Sequence, residues 1–199
     1  MRLRALPRAL PLIFLAVAAL AVACGSGQSD KADNTPEATG TDTASPTVDV
    51  NVPLVEYRSP DKGYSVSYPQ GWEVTLTGGF ADTFITRNSL GQVAAQLSVA
   101  CFPTKEGWTE ATLMTQDAKA ASLSGGFQTT PAGDTELAGL PAKRRRYSLS
   151  PGGLTVEHVV VYQIRGKCGW RVGLNSYGKD TLNAYIPLFD RILATFRVD

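Results

Sequence analysis

Two strand-length runs, residues 140–149 and 154–165, meet across Ser150-Pro151-Gly152-Gly153. That pairing restricts the fold more than any other feature of the chain. Proline and glycine in succession stop a strand and reverse it, and side chains two apart on each run share a face. The segment therefore reads as a long antiparallel hairpin, which needs further strands and a covering layer to bury its apolar face.

The neighbouring sequence supplies them. Gly166-Lys167 turns into a run in which Cys168, Trp170, Val172 and Leu174 alternate with Gly169, Arg171 and Gly173. Upstream, Val93, Ala95, Leu97, Val99 and Cys101 share one face, and so do Tyr64, Val66 and Tyr68. Residues 72–76 and 80–87 read as two more strands around Thr77-Gly78-Gly79, whereas Pro131-Ala132-Gly133-Asp134 reads as loop. Two segments carry the helical period instead. Ala111, Met114, Ala118 and Ala121 recur behind Thr109, a good N-cap, and stop at Gly125-Gly126. Leu182, Tyr185, Ile186, Phe189, Ile192, Leu193 and Phe196 form an apolar stripe. Asp180 is one candidate cap for it, but Pro187 suits a first turn and moves the expected start towards Ile186. The expected class is α+β, an antiparallel β-sheet covered by amphipathic helices.

The first 52 residues have a different character. Arg2, Arg4 and Arg8 precede an apolar run over residues 12–23, and no acidic residue occurs before Asp30. The run is too short to span a bilayer, which needs about 20 apolar residues, so it reads as a signal peptide. It ends Leu20-Ala21-Val22-Ala23-Cys24. This resembles the lipobox of bacterial prolipoproteins, except that Ala21 stands where leucine is usual. The resemblance implies cleavage before Cys24 and diacylation of that cysteine, an anchor that two acyl chains make essentially permanent. The competing reading is an ordinary secreted protein cut after Ala21-Val22-Ala23. Residues 25–52 are rich in Ser, Thr, Asp, Ala and Pro with few large apolar side chains, and read as a disordered tether. The expected organisation is thus a lipoprotein signal peptide over 1–23, a lipidated cysteine and tether over 24–52, and one domain over 53–199. It places the protein at the cell membrane, anchored on the extracytoplasmic face. The leader removes three of 19 basic residues against 18 acidic ones, so the mature chain is near neutral, without the clustered positive field of a general nucleic-acid binder.

The segment Gly63-Tyr64-Ser65-Val66-Ser67-Tyr68-Pro69-Gln70-Gly71-Trp72 resembles the opening of PsbP-like domains, where a short strand runs into a Tyr-Pro-x-Gly-Trp corner. The closing Ile192-Leu193-Ala194-Thr195-Phe196-Arg197 fits the same group, and the resemblance extends over residues 55–198. It implies an α-β-α sandwich and a largely non-enzymatic binding or assembly role, with many bacterial members being lipoproteins. It brings no catalytic motif.

Cys101 and Cys168 remain once Cys24 is assigned. An exported chain meets an oxidising compartment, and each cysteine lies on the apolar face of its strand, so a disulfide is expected if those strands are neighbours. Two separate buried thiols are the alternative. His158, the single histidine, shares a face with Val156, Val160 and Tyr162 and reads as a satisfied core histidine. Nucleophile-elbow, zinc-protease, P-loop and dinucleotide motifs do not occur, and no cofactor or metal is expected. Asp61 and Asp82 are a carboxylate pair whose convergence the sequence does not decide. Trp72 reads as corner packing.

Lys143-Arg144-Arg145-Arg146 is the most conspicuous local feature. On a strand these cations alternate between faces. One reading is an edge strand whose charges discourage sheet association. The other is a docking patch for anionic lipid, wall polymer or an acidic partner. The functional expectation is a monomeric, membrane-anchored, non-catalytic binding or assembly domain with an unidentified protein or lipid partner. A carrier of a small apolar or amphipathic ligand is the alternative, and a hydrolase without a recognisable motif comes last.

Overall fold

The computed structural model describes residues 47–77, 79 and 81–199. The expected signal peptide, Cys24 and most of the expected tether lie outside them. Within the described chain the period-two runs become strands in two sheets. β1 (Leu54–Arg58) and β2 (Tyr64–Pro69) belong to a small sheet. β3 (Glu73–Thr77), β4 (Ala81–Arg87) and β5 (Val93–Pro103) form one half of a large one. After α1 (Glu110–Ser122) come β6 (Gln128–Thr129), β7 (Gly133–Leu137), β8 (Leu140–Leu149), β9 (Val156–Arg165) and β10 (Cys168–Tyr177), and α2 (Leu182–Thr195) and β11 (Arg197–Val198) close the chain. The large sheet has the order β3-β4-β5-β10-β9-β8-β6, with β7 also paired to β8, and the small one has the order β1-β2-β11. Every pairing is antiparallel.

The alternation in β9 shows how the layers are made. Val159 and Val161 are fully buried in the cluster that α2 and the small sheet complete, while Val160 and Tyr162 are buried in a second cluster beneath α1. The large sheet is therefore apolar on both faces at its centre and sandwiched, and the helix on each side follows from that. In the larger cluster Tyr64, Trp170 and Phe196 interlock, with ring centroids 5.5–5.6 Å apart. This joins the corner-bearing β2, β10 and the end of α2.

Several expectations are corrected. Residues 133–137 form β7 rather than loop, because their backbone completes the outer flank of β8 from Gly133↔Arg144 to Leu137↔Leu140. β8 is consequently interior, between β9 on one side and β6 and β7 on the other, so the edge-strand reading of residues 143–146 does not hold. α2 starts at Leu182, with Pro187 inside it. Proline costs one backbone bond and a clash with the preceding turn. Burial of Leu182, Tyr185, Leu188, Phe189 and Ile192 outweighs this, and the Glu157 carboxylate accepts the Leu182 N–H at 2.8 Å. Neither Asp180 nor a residue near Ile186 caps the helix; Thr181 precedes it, without a side-chain cap. Residues ahead of β1 also touch the domain. Val48 and Val52 pack on the core, and Arg191 donates to Val50 O and, at 3.3 Å, to Val52 O.

Candidate functional site

Thr109 caps α1 as expected, in a reciprocal capping box with Thr112. The inward face of the helix coincides only in part with the Ala111, Met114, Ala118 and Ala121 stripe, of which Ala121 is buried and Met114 packs on the cluster. Leu113 and Ala121 are the buried positions, Ala111 is exposed, and Asp117 sits on the same face one turn from each buried residue. Leu113 fits because β10 carries Gly169 there: a Cβ on Gly169 would come within 2.8 Å of the leucine methyls.

Asp117 drives a carboxylate into the sheet. Arg171 Nε donates to its Oδ1 at 3.0 Å, and Tyr162 donates its hydroxyl to Oδ2. Arg171 also donates from Nη2 to Tyr147 Oη at 2.9 Å and from Nη1 to Ser98 Oγ at 3.3 Å. Burial alone would push the Asp117 carboxyl up, but the charge of Arg171 and the Tyr162 hydrogen bond outweigh it and hold the group ionised, below the usual carboxylate range. For Arg171 burial opposes the charge and Asp117 restores it, so its pKa is raised.

His158 lies beside this network, stacked on Tyr147 at 4.4 Å and opposite Asn175 on β10. It is buried as read from the sequence but not satisfied. Neither ring nitrogen, nor Asn175 Oδ1, finds a hydrogen-bond partner among the described residues. Burial, aided by the charge of Arg171, pushes the imidazole down to about 4 from its ordinary 6.5. The sign follows: between about pH 6.5 and 4 the unfolded chain takes up a proton that the folded one refuses. Stability is therefore full above 6.5 and falls with pH through that window, by about 3 kcal/mol in all. Denaturant midpoints of the parent and His158→Phe at about pH 7.5, 5.5 and 4.5 test this. The variant is expected to lose most of the slope, and parallel profiles would refute the assignment.

The basic run divides between the faces, as alternation requires. Lys143 pairs with Asp134 on β7. Arg144 pairs with Asp190 at 2.7 Å and lies over the Phe189 ring. Arg145 donates to Met114 O at 2.9 Å and lies over Tyr147 and Tyr162, so it holds α1 to the sheet. Arg146 donates to Asn183 Oδ1 at 2.8 Å. All four cations have partners within the domain, and three of them bind the sandwiching helices, Arg145 to α1 and Arg144 and Arg146 to α2.

Beside Arg146 the sheet rim and the start of α2 leave a cleft of about 260 Å³, lined among others by Gln128, Thr129, Thr130, Ser148, Glu157 and Leu182. It is open to solvent and half polar, smaller than the apolar cavities that enclose small ligands. The sequence did not show it, because β6 is two residues long and has no readable period.

Asp61 and Asp82 do converge, on Lys62: its Nζ is 3.0 Å from one carboxylate and 2.9 Å from the other. Asp82 is buried and also accepts from Tyr64 Oη at 2.6 Å and Ser59 Oγ at 2.8 Å. Burial raises its pKa, but these donors outweigh it and keep the group ionised. The pair ties the β1–β2 turn to β4; neither this carboxylate nor Asp117 is poised as an acid. Trp72 packs half-buried on the larger cluster, and Trp170 is inside it. Cys101 and Cys168 form a disulfide, with S–S 2.02 Å and Cα–Cα 5.5 Å. Their strands are adjacent, and the bridge runs diagonally, since Cys101 stands opposite Trp170. Among the described residues no three His, Cys, Asp or Glu side chains are grouped to hold a metal.

No family model and no curated protein matches the chain. Solved structures do match. The cyanobacterial PsbP protein CyanoP of Synechocystis sp. PCC 6803 superposes with a TM-score of 0.55 at 18% identity, over 73% of this chain and 92% of that one. The Saccharomyces cerevisiae Ran-binding protein Mog1p gives 0.56 at 9% identity, over 74% and 96%. LpqN of Mycobacterium tuberculosis, described as involved in cell envelope biogenesis, gives 0.51 at 13% identity, over 74% and 91%. At such identities the likeness concerns the fold, which is the α+β fold of PsbP-like proteins.

Proposed function

We propose that the protein is an extracytoplasmic lipoprotein, acylated at Cys24, whose domain is a non-catalytic binding or assembly module engaging its partner at the cleft beside β8. The cleft carries the binding reading. The space between the large sheet and α2 is filled by Phe189, Ile192 and Leu188 against Trp170 and Val172, which disfavours an enclosed apolar ligand, while the rim offers Arg146, Glu157 and threonine hydroxyls. A shallow polar cleft suits an extended segment of a larger partner, such as a polar peptide or an envelope polymer. The lipobox-like leader and the Cys101–Cys168 bridge support export, and the fold shared with CyanoP and with LpqN, an envelope-biogenesis protein, is consistent with it.

Two experiments test the reading. Cys24→Ser is expected to abolish incorporation of an alkyne-labelled fatty acid and move the protein from the membrane to the soluble fraction; unchanged labelling or fractionation would count against the anchor. A photo-crosslinking residue at Thr130 is expected to give a discrete adduct in intact cells, whereas one at Lys105 does not. Adducts extractable into organic solvent would instead favour the lipid-carrier alternative.

A further inference from the structure

We infer that the end of the domain bearing Leu90, Leu123 and Leu154 rests on a lipid bilayer, its three leucines entering the interfacial layer. Exposed leucines scattered singly need no explanation. These three are 79%, 82% and 54% exposed, the most exposed large apolar side chains among the described residues, and the topology gathers them at one end. Leu90 is in the turn between β4 and β5, Leu123 directly follows α1, and Leu154 is in the turn between β8 and β9. In the large sheet Ala95 stands opposite Ser176, Tyr177 opposite Val156, and Val156 opposite Leu149, so the β4–β5 and β8–β9 turns leave the same edge. Ser150 N–H donates to Gly125 O at 3.2 Å. Gly126 is pressed so closely on Ser150 that a Cβ there would lie 2.8 Å from the serine Cβ, which packs the Leu123 loop against the Leu154 turn.

Each leucine is presented on a stiff turn. Asn88 Oδ1 accepts the N–H groups of Leu90 and Gln92, both at 3.0 Å. Leu123 N–H donates to Ala120 O and Leu154 N–H to Pro151 O, at 3.3 and 3.1 Å. An apolar tip already ordered loses little entropy when it inserts. The surrounding charges are of both signs. Arg87 pairs with Glu73 at 3.2 Å, and Lys119, Lys179 and Asp180 are exposed nearby. Without a dominant sign, an acidic or basic macromolecule has no electrostatic purchase here.

The chain also enters the domain at this end. Pro53 O accepts the Gln70 N–H at 2.8 Å in the corner that opens β3, whose first residue, Glu73, reaches Arg87. Under the tethered reading, on which this orientation rests, the leucines face the bilayer that holds Cys24. A tether of this kind supplies a high effective concentration, so insertion that is weak for a free protein suffices for an anchored one.

The test uses the chain from residue 24 onward with Cys24→Ser, and vesicles of phosphatidylcholine and phosphatidylglycerol. Cosedimentation is expected to fall at least about fivefold in Leu90→Ser/Leu123→Ser/Leu154→Ser and to change little between about 0.1 and 0.5 M salt, since screening acts on charge and not on insertion. An unaltered melting temperature establishes that the triple variant is folded. Nitroxides at Leu90→Cys, Leu123→Cys and Leu154→Cys should become protected from a water-soluble relaxing agent on vesicles, and one at Lys105→Cys should not. Unchanged sedimentation of the triple variant, or nitroxides as accessible as that at position 105, would overturn the inference. So would a triple variant whose only change is loss of self-association, which would assign the leucines to a second copy of the chain. Absence of a diacylglyceryl mass on Cys24 in cells would remove the tether and leave the vesicle result standing.

Discussion

Asp117→Ala is expected to destabilise the domain by about 3–5 kcal/mol, because it leaves Arg171 charged and buried without a counterion. The two side chains are only 14% and 12% exposed, and the guanidinium makes its remaining hydrogen bonds to Tyr147 and Ser98, neither of which is charged. The guanidinium lies over Gly173, where a Cβ would come within 3.0 Å of Nη1, so the strand leaves room for the buried arginine at that position. Replacing both partners, as Asp117→Leu/Arg171→Met, should recover a large part of the loss, since an apolar pair of similar volume avoids the desolvation that the ion pair must offset. Guanidinium unfolding of the two single variants and the double variant measures the coupling. A cost below about 1 kcal/mol for Asp117→Ala, or a double variant no more stable than the worse single one, would show that the pair is solvated in solution.

That ion pair also marks where sequence reasoning stops. Each half has a local signature: Asp117 lies four residues from both Leu113 and Ala121, and Arg171 lies between two glycines on one strand face. Neither signature says that the two meet, because the meeting depends on α1 crossing β8 and β9 and on the register that sets β10 beside β9. The alternation of β9 was legible because a strand buried on both faces carries its period in every residue. β7 was not, because Gly133-Asp134-Thr135-Glu136 has no apolar face and is a strand only through its pairing with residues 141–144. β11 is two residues held by Tyr64 and Ser65, more than 130 positions away, and β1 by the same small sheet. The basic run fails the same way. Its alternation was readable, but whether β8 was edge or interior depended on β6 and β7, which have no signal of their own. The Asp61–Asp82 convergence and the cleft at Arg146 are likewise properties of loops and of a helix start, where partner choice is non-local.

Removal of the Cys101–Cys168 bridge is expected to cost about 4 kcal/mol and to lower the melting temperature on the order of 10 °C. The estimate follows from connectivity. The bridge spans 67 residues, and its loop contains α1, β6, β7, β8 and β9. Without it the unfolded chain is free to separate β5 from β10, two central strands that the fold must rejoin across that whole loop. The native state should lose little, since Cys101↔Trp170 and Cys168↔Pro103 remain paired through the backbone and the vacated space is near Trp170 in a packed cluster. Two measurements separate this entropic account from simple cavity loss. Cys101→Ser/Cys168→Ser and reduced parent protein should melt at similar temperatures, both below the oxidised parent, because the linkage and not the sulfur atoms is what they share. Kinetically, the loss should fall mainly on the folding rate if β5 and β10 pair in the transition state, and on unfolding if they pair later. Reduced parent that melts with the oxidised form would show that the bridge contributes no stability, and free thiols in the exported protein would show that it does not form.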